Sequence, residues 1–421
     1  MLKPIFTLIM LIMPSMLLAY EIKEGAPLSL KEAISIALNR HPEIKAAEGN
    51  VEIGISRVGQ AESGYYPSIS INSALSRYSL PQGDSDSNFT ASLNLSQNIY
   101  DFGKREGKLD IERLNLGYYE HDLGYTKALV VFNVKKAYYA AFQAKSALNV
   151  AKEVVRQYEE HLKRARGFYE TGLKPKYEVT KAEADLANAK VNMLKAENGL
   201  KIAMVSLKNA IAMPEAADFD LQDGPIKVWP ELSLDPLVQR AMATRQDLQS
   251  LLQKFKAQKR KIDYEKTGYY PTITGNLGYG VSGDRMPFNK SWNIGASLTI
   301  PLFSGFLTKY QIKEAEAALL VLHSQIEALR QKIALEVKQA YLNALEARQR
   351  IEAAQASVSY AGQNLELARG RYNVGIGNPI EVADALTVYA NAQNTYIAAQ
   401  YDYSVALAEL ERATGGQLFT N

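Results

Sequence analysis

What most constrains the fold of this chain is that it is written twice. "GYYPSI" at Gly64 to Ile69 returns as "GYYPTI" at Gly268 to Ile273, and the same offset links "LSL" at Leu28 and Leu232 and "HPEI" at His41 with "RQDL" at Arg245. Further along, one residue out of that offset, Ala137-Tyr138 matches Ala340-Tyr341, "YETGLKPKYEV" at Tyr169 matches "YNVGIGNPIEV" at Tyr372, and "ANA" recurs at Ala187 and Ala390. Register held this long marks an internal duplication. The copies span 28–214 and 232–415, with a linker at 215–231 and a tail at 416–421.

Each copy reads as helix, strand, strand, long helix, helix. The first helix opens on a capping box, Ser29 with Glu32, and is expected to run to the glycine of GYYP. Strands are predicted at 66–78 and 89–100 in one copy and at 270–281 and 291–301 in the other. Long helices follow at 104–171 and 306–374, and return helices at 175–212 and 379–413. No proline falls between Pro81 and Pro175 or between Pro301 and Pro379. Helices of roughly 65 residues, about 100 Å long, fit those stretches, far beyond the reach of one globular core. Ile312, Ala315, Leu319, Leu322, Ile326, Leu329 and Ile333, then Val337, Ala340, Ala344, Ala347, Ile351 and Ala354, form a heptad seam with one stutter. Such helices coil around neighbours.

An ordinary coiled coil would not need the strands. Ile273, Leu277, Tyr279 and Val281 alternate with Thr272, Thr274, Asn276 and Gly278, and Trp292, Ile294, Ala296, Leu298 and Ile300 alternate with Asn293, Ser297 and Thr299. The first copy repeats the pattern with Ile69 and Ile71, then Phe89, Ala91, Leu93 and Leu95. The polar connections "SLPQGDSDSN" and "SGDRMPFNKS" make each pair a hairpin. Strands of 10 to 13 residues suit a tilted crossing of a bilayer. Aromatics gather at both ends: Tyr65, Tyr66, Tyr100, Tyr269, Tyr270 and Phe303 near the helices, Tyr78, Phe89, Phe288 and Trp292 near the turns. That layout matches the two girdles of a membrane barrel, although a hairpin sheet packed on the helices would alternate in the same way. Four strands cannot close a barrel alone, so strands in a membrane imply an oligomer.

The N-terminal stretch, with Lys3, an apolar run from Ile5 to Leu18 and Ala19, is laid out as a secretory signal peptide at 1–19, with an uncleaved anchor as the other reading. With no cysteine, disulfides, thiolate metal sites and a lipidated cysteine are excluded. Lys and Arg number 48 against 45 Asp and Glu, with no basic run, which argues against nucleic acid as a partner. His41, His121, His161 and His323 have no metal-binding spacing and read as surface or junction residues. No phosphate loop is present, so no cofactor, metal or enzymatic activity is expected.

Taken in order and in duplicate, "LSLKEAISIALNRHPEIKAA", the GYYP phrases, "YDFGKR" with "FSGF", and the two turn motifs make the chain resemble the TolC-like outer-membrane efflux proteins. The resemblance implies a mainly helical fold with membrane strands: a homotrimer pooling four strands per chain into a twelve-stranded barrel in outer-membrane lipid, above a long periplasmic tunnel with a small mixed belt. It implies a passive exit duct for efflux or type I secretion, docked on a periplasmic adaptor protein and an inner-membrane pump. Gly172, Leu173, Gly375 and Ile376 would be the adaptor-docking tips, or simply interhelical turns. Glu381 and Asp384, three apart on one helix face, match acidic residues that ring the tunnel mouth, though Asn378, Pro379 and Glu381 also fit a capping set. Tyr372 and Glu178 match the tyrosine and acid of a gate whose arginine position is here Gly377. The competing reading is a periplasmic coiled-coil structural or adaptor protein.

Overall fold

The computed structural model describes residues 26–79, 85–216, 218–222, 224–225 and 233–416. The expected signal peptide, residues 80–84 of the first hairpin connection, residues 217, 223 and 226–231 of the linker, and the tail from 417 onward lie outside the described residues. In chain order the elements are β1 (Pro27–Leu28), α1 (Leu30–Arg40), α2 (Pro42–Glu62), β2 (Ser68–Ser79), β3 (Ser85–Tyr100), α3 (Lys104–Glu170) and α4 (Lys176–Ala210). The second half continues with β4 (Asp220–Leu221), α5 (Leu234–Thr244), α6 (Gln246–Lys266), β5 (Thr272–Gly283), β6 (Asn289–Thr299), α7 (Leu307–Asn373) and α8 (Pro379–Ala413).

The opening helix of each copy is broken in two, where one helix was expected. His41 is extended (φ −62°, ψ 127°) because the Pro42 ring disfavours a helical residue before it. Arg245 repeats that geometry (φ −63°, ψ 124°) without a proline. Its guanidinium is buried instead, 2.6 Å from both Asp247 and Glu336, with the Ala413 carbonyl at 3.5 Å.

The helices α3 and α7 each run 67 residues, about 100 Å. Of the seam read along α7, Ala315, Leu322, Ile326, Ile333, Val337, Ala340, Ala344, Ala347, Ile351 and Ala354 are buried. The alternation of threes and fours thus turns one face of a single helix inward along its length. The small side chains let α8 approach closely below the stutter, where Ala344, Ala347, Ile351 and Ala354 pack with Ala399, Tyr403 and Leu407. Midway along, β1 and β4 pair in parallel, and the Tyr138 hydroxyl donates to the Leu28 carbonyl at 2.8 Å. This short ladder ties the second copy's approach to the first copy's start. The capping box at the start of α1 is formed on both sides, with Ser29 and Glu32 each bonding the other's backbone.

One antiparallel sheet has the order β2-β3-β5-β6, so the two hairpins join through β3 and β5. Strand β3 starts earlier than expected: Ser85 to Asn88 look like turn residues but stay paired with 76–79. The GYYP phrases divide their work differently from the expectation too. Ser63–Tyr65 and Thr267–Tyr269 are single 3-10 turns, so each helix ends before the glycine. Tyr66 and Tyr270 are extended ahead of their prolines, and the strands begin one residue after Pro67 and Pro271.

Candidate functional site

The sheet has two unlike faces, fixed by register. Ile71, Leu93, Tyr279 and Trp292 form one row across all four strands, and Ile69, Leu95, Leu277 and Ile294 form the next. On the opposite face the rows are Ser70, Asn94, Gly278 and Asn293, and Asn72, Ser92, Gly280 and Ser291. A Cβ on Gly278 would lie 2.3 Å from the Asn293 amide oxygen, so glycine there makes room for the polar side chain. The apolar rows stand out in the open: Ile71, Trp292 and Ile294 are all more than 70% exposed. A soluble protein would not leave such a surface in water. No helix among the described residues is long and apolar enough to cross a membrane.

The aromatics assigned to the membrane boundary collect where strand meets helix. Tyr100 and Phe102 meet edge to face at 4.6 Å, and Phe102 stacks on Tyr270 at 5.8 Å, which puts residues of both copies on one level. Phe303 packs on Phe306, while Tyr65, Tyr66 and Tyr269 are exposed. Below this level, Asp101 and Arg105 lock the first junction. The Arg105 guanidinium reaches the Asp101 carboxylate at 2.9 Å and the carbonyls of Asn98 and Ile99, and lies over the Tyr65 ring. Trp292 sits near the opposite end of the strands.

At the far end of the long helices the chain turns twice. Gly172 (φ +73°) and Gly375 (φ +80°) are left-handed, a conformation cheap only for glycine. Each turn closes the same way: the Gly172 amide donates to Tyr169 and Leu173 to Phe168, and Gly375 donates to Tyr372 and Ile376 to Arg371. Leu173 and Ile376 project from the turns, 69% and 77% exposed.

Between the turns, residues from four helices meet. Tyr372 from α7 is buried and its hydroxyl donates to the Glu178 carboxylate of α4 at 3.3 Å. Burial first, and then the Glu178 charge, push the Tyr372 phenol up to about 12, so it remains a donor. Lys174 stands 3.2 Å from the other Glu178 oxygen. Arg164 donates to Asn373, Arg369 to Gln157 and Tyr158 to the Ala383 carbonyl, which stitches the first hairpin to the second. A cavity of about 20 Å³ sits here, lined in part by Tyr158, His161, Arg164, Arg369 and Tyr372.

The structure thus brings Tyr372 and Glu178 together, while Glu381 and Asp384 are exposed on the first turns of α8. Asn378 caps the Ile380 amide, but Glu381 reaches toward Arg371 at 3.5 Å, so the expected capping set is only half used. At Gly377 a Cβ would lie 2.7 Å from the Tyr372 backbone nitrogen. No side chain fits there, and the cation beside Glu178 comes from Lys174 instead. Its four-residue spacing from Glu178 was legible. Of the two readings given for the histidines, surface or junction, His161 takes the second, where the two hairpins meet. It is buried against the Tyr372 ring at 5.2 Å between centroids, and burial lowers its pKa. A lone histidine on a long helix carries no motif that would have signalled this.

The outer membrane efflux protein family matches this chain twice, over residues 33–212 and 237–416, once per copy. The probable outer membrane lipoprotein SilC of Salmonella typhimurium is 26% identical over 407 residues, covering 91% of this chain and 85% of that protein. The outer membrane protein TolC of Escherichia coli K12 is 21% identical over 401 residues, covering 89% and 80%. Among solved structures, the Campylobacter jejuni CmeC outer membrane channel shares the fold with a TM-score of 0.80 at 19% identity, covering 95% of this chain and 90% of that one. The open state of the Neisseria gonorrhoeae MtrE outer membrane channel gives 0.79 at 19% identity, covering 92% and 89%. With each half of its duplicated body matched separately and its strand-and-tunnel fold shared from end to end, the chain belongs to the outer membrane efflux protein family.

Proposed function

We infer that three copies of this chain form the passive exit duct of an efflux or type I secretion system in the outer membrane. The observation that carries the reading is the sheet: four strands with one apolar face, one polar face and two unpaired edges, β2 and β6, set in line with helices about 100 Å long. In lipid each unpaired edge group would cost several kcal/mol, so β6 of one copy pairs with β2 of the next until the ring closes at twelve strands. The polar rows then line the pore and the apolar rows face lipid. A periplasmic coiled-coil adaptor would have no use for such a sheet.

The helical tips, with Leu173 and Ile376 exposed, fit docking on a periplasmic adaptor that brings an inner-membrane pump. Glu178 and Tyr372 act as a gate contact between hairpins, and Glu381 and Asp384 add six carboxylates near the mouth in three copies, favouring cations. The names of relatives include a cation efflux system protein and an alkaline protease secretion protein, which span both the efflux and the secretion reading. The test is reconstitution: protein from the outer-membrane fraction should run as a heat-sensitive trimer and conduct ions in planar bilayers. A monomer released by salt washing would end this reading. Photo-cross-linking from position 376 in cells identifies the adaptor.

A further inference from the structure

The tip uses one tyrosine–glutamate contact between its two hairpins and carries the parts for a second. Tyr169 and Tyr372 are equivalent in the duplication, 203 residues apart, and so are Glu178 and Glu381. One member of each pair is engaged: Tyr372, 2% exposed, donates to Glu178, 7% exposed. The other two face solvent, Tyr169 at 46% and the Glu381 side chain at 47%. The turns that hold them have the same hydrogen bonds on both sides.

The engaged contact joins two different surfaces of one repeated unit. It takes the tyrosine at the end of the long helix from the second hairpin and the glutamate at the start of the return helix from the first. A contact of this heterologous kind leaves its complement free at each end, here a tyrosine on one side and a glutamate on the other, and it closes into a ring when the rotation allows. We propose that in the assembled trimer Tyr169 of one copy donates to Glu381 of the next, so that three contacts between copies alternate around the tip with three in-chain Tyr372–Glu178 contacts. This rests on the trimeric reading above.

The two kinds of seam are not equal. Around Tyr372 stand His161 and Phe168, with rings 5.2 and 5.7 Å away, and Tyr158 nearby. At the same offset the other seam has Asn364, Arg371 and Ala361. Each glutamate keeps one cation, Lys174 for Glu178 and Arg371 for Glu381, supplied from different positions because Gly377 cannot carry a side chain. The seam between copies therefore keeps the hydrogen bond and its charge partner but loses the aromatic cover. A hydrogen bond that water can reach contributes less than one in a dry seam. The between-copy seam is the one that parts first when the tip opens.

Because the chain has no cysteine, Tyr169→Cys with Glu381→Cys places only two thiols in each copy. A tyrosine–glutamate hydrogen bond spaces the two Cβ atoms too widely for a disulfide, so a bis-maleimide of matching reach is the reagent, applied to the solubilised full-length protein. Most chains should then run as covalent dimers and trimers on a denaturing gel, while either single variant and the in-chain pair Tyr372→Cys with Glu178→Cys stay at monomer mass. The proposal is overturned if the Tyr169→Cys, Glu381→Cys protein stays at monomer mass while unheated gels show an intact trimer. Absence of any trimer in unheated wild-type samples overturns it by a different route, by removing the assembly on which it rests. As a second readout with minimal disturbance of folding, Tyr169→Phe should raise single-channel conductance with the heat sensitivity of the trimer unchanged. An unaltered conductance counts against the contact.

Discussion

At the break in its opening helix the first copy has Pro42, and at the same break the second has the buried Arg245 gripped by Asp247 and Glu336. Where strand returns to helix, the first copy places two left-handed residues, Phe102 (φ 54°) and Gly103 (φ 87°), and the second places Gly305 (φ 63°) and Phe306 (φ 67°). The glycine and the phenylalanine have exchanged places, yet the backbone path is the same. Just below, Arg105 bonds to strand-end carbonyls in one copy, while its counterpart Thr308 is buried against Gly268 in the other. What the duplication has kept is the course of the chain. The side chains that enforce each bend have diverged, so each copy depends on different residues for the same geometry.

The arginine break offers the largest separation. Arg245→Ala removes the buried guanidinium from between the half-buried Asp247 and Glu336, leaving Arg412 at 3.7 Å and Lys332 at 3.9 Å as the cations near Glu336, and should cost about 3 kcal/mol. Pro42→Ala removes only a ring that pre-set the backbone, and should cost under about 1 kcal/mol. Guanidinium unfolding of the solubilised protein measures both. Equal losses would mean that the two breaks are held in the same way after all.

The same divergence explains what could be read in advance. Spacing carried the α7 seam and the faces of all four strands, because burial along a regular helix or strand repeats with its period. Pro42 in "HPEI" marked its helix break to anyone applying the pre-proline restriction, whereas Arg245 in "RQDL" carries no such mark, since only one of its two carboxylate partners, Asp247, is local and the other, Glu336, is distant in sequence. At the tip, the Tyr372 and Glu178 positions came from the resemblance to the efflux family, which the repeated turn motif helps to carry. The burial of His161 did not, because it depends on how two hairpins from opposite halves of the chain pack.

His161 also gives the tip a pH dependence that its counterpart Asn364 cannot have. Around it stand Arg164 on its own helix, Glu178 and Asp185 from α4, and Arg369 and Tyr372 from α7, while α8 offers the apolar Val382, Ala383 and Leu386. Burial, the leading cause, holds the imidazole pKa below the ordinary value of 6.5. With the hairpins apart the ring is hydrated and takes up a proton near 6.5. The packed contact is therefore at full strength above about pH 6.5 and weakens as pH falls below it, until the lowered pKa is passed and the penalty stops growing. Spin labels at Leu173→Cys and Ile376→Cys should show the two turns separating in acid, by less than the loss of Arg245 disturbs the fold. His161→Phe should remove that response, and a response that survives it would assign the titration to the carboxylates instead.

The smallest expected difference lies within the repeated GYYP phrase itself. A Cβ on Gly268 would meet the buried Thr308 methyl at 3.0 Å, tighter than ordinary contact, whereas a Cβ on Gly64 would rest 3.6 Å from the Arg105 side chain, at van der Waals distance. Gly268→Ala should therefore cost about 1 kcal/mol as Thr308 is displaced, and Gly64→Ala should stay within about 0.5 kcal/mol of wild type. Thr308→Ala removes the methyl, so combining it with Gly268→Ala should cost less than the two changes summed, a coupling that a double-mutant cycle measures directly. No such coupling is expected between Gly64→Ala and any change at Arg105. If the first glycine proved as sensitive as the second, its need would lie in the backbone of the 3-10 turn that both copies share, and divergence of side chains would not account for the conserved phrase.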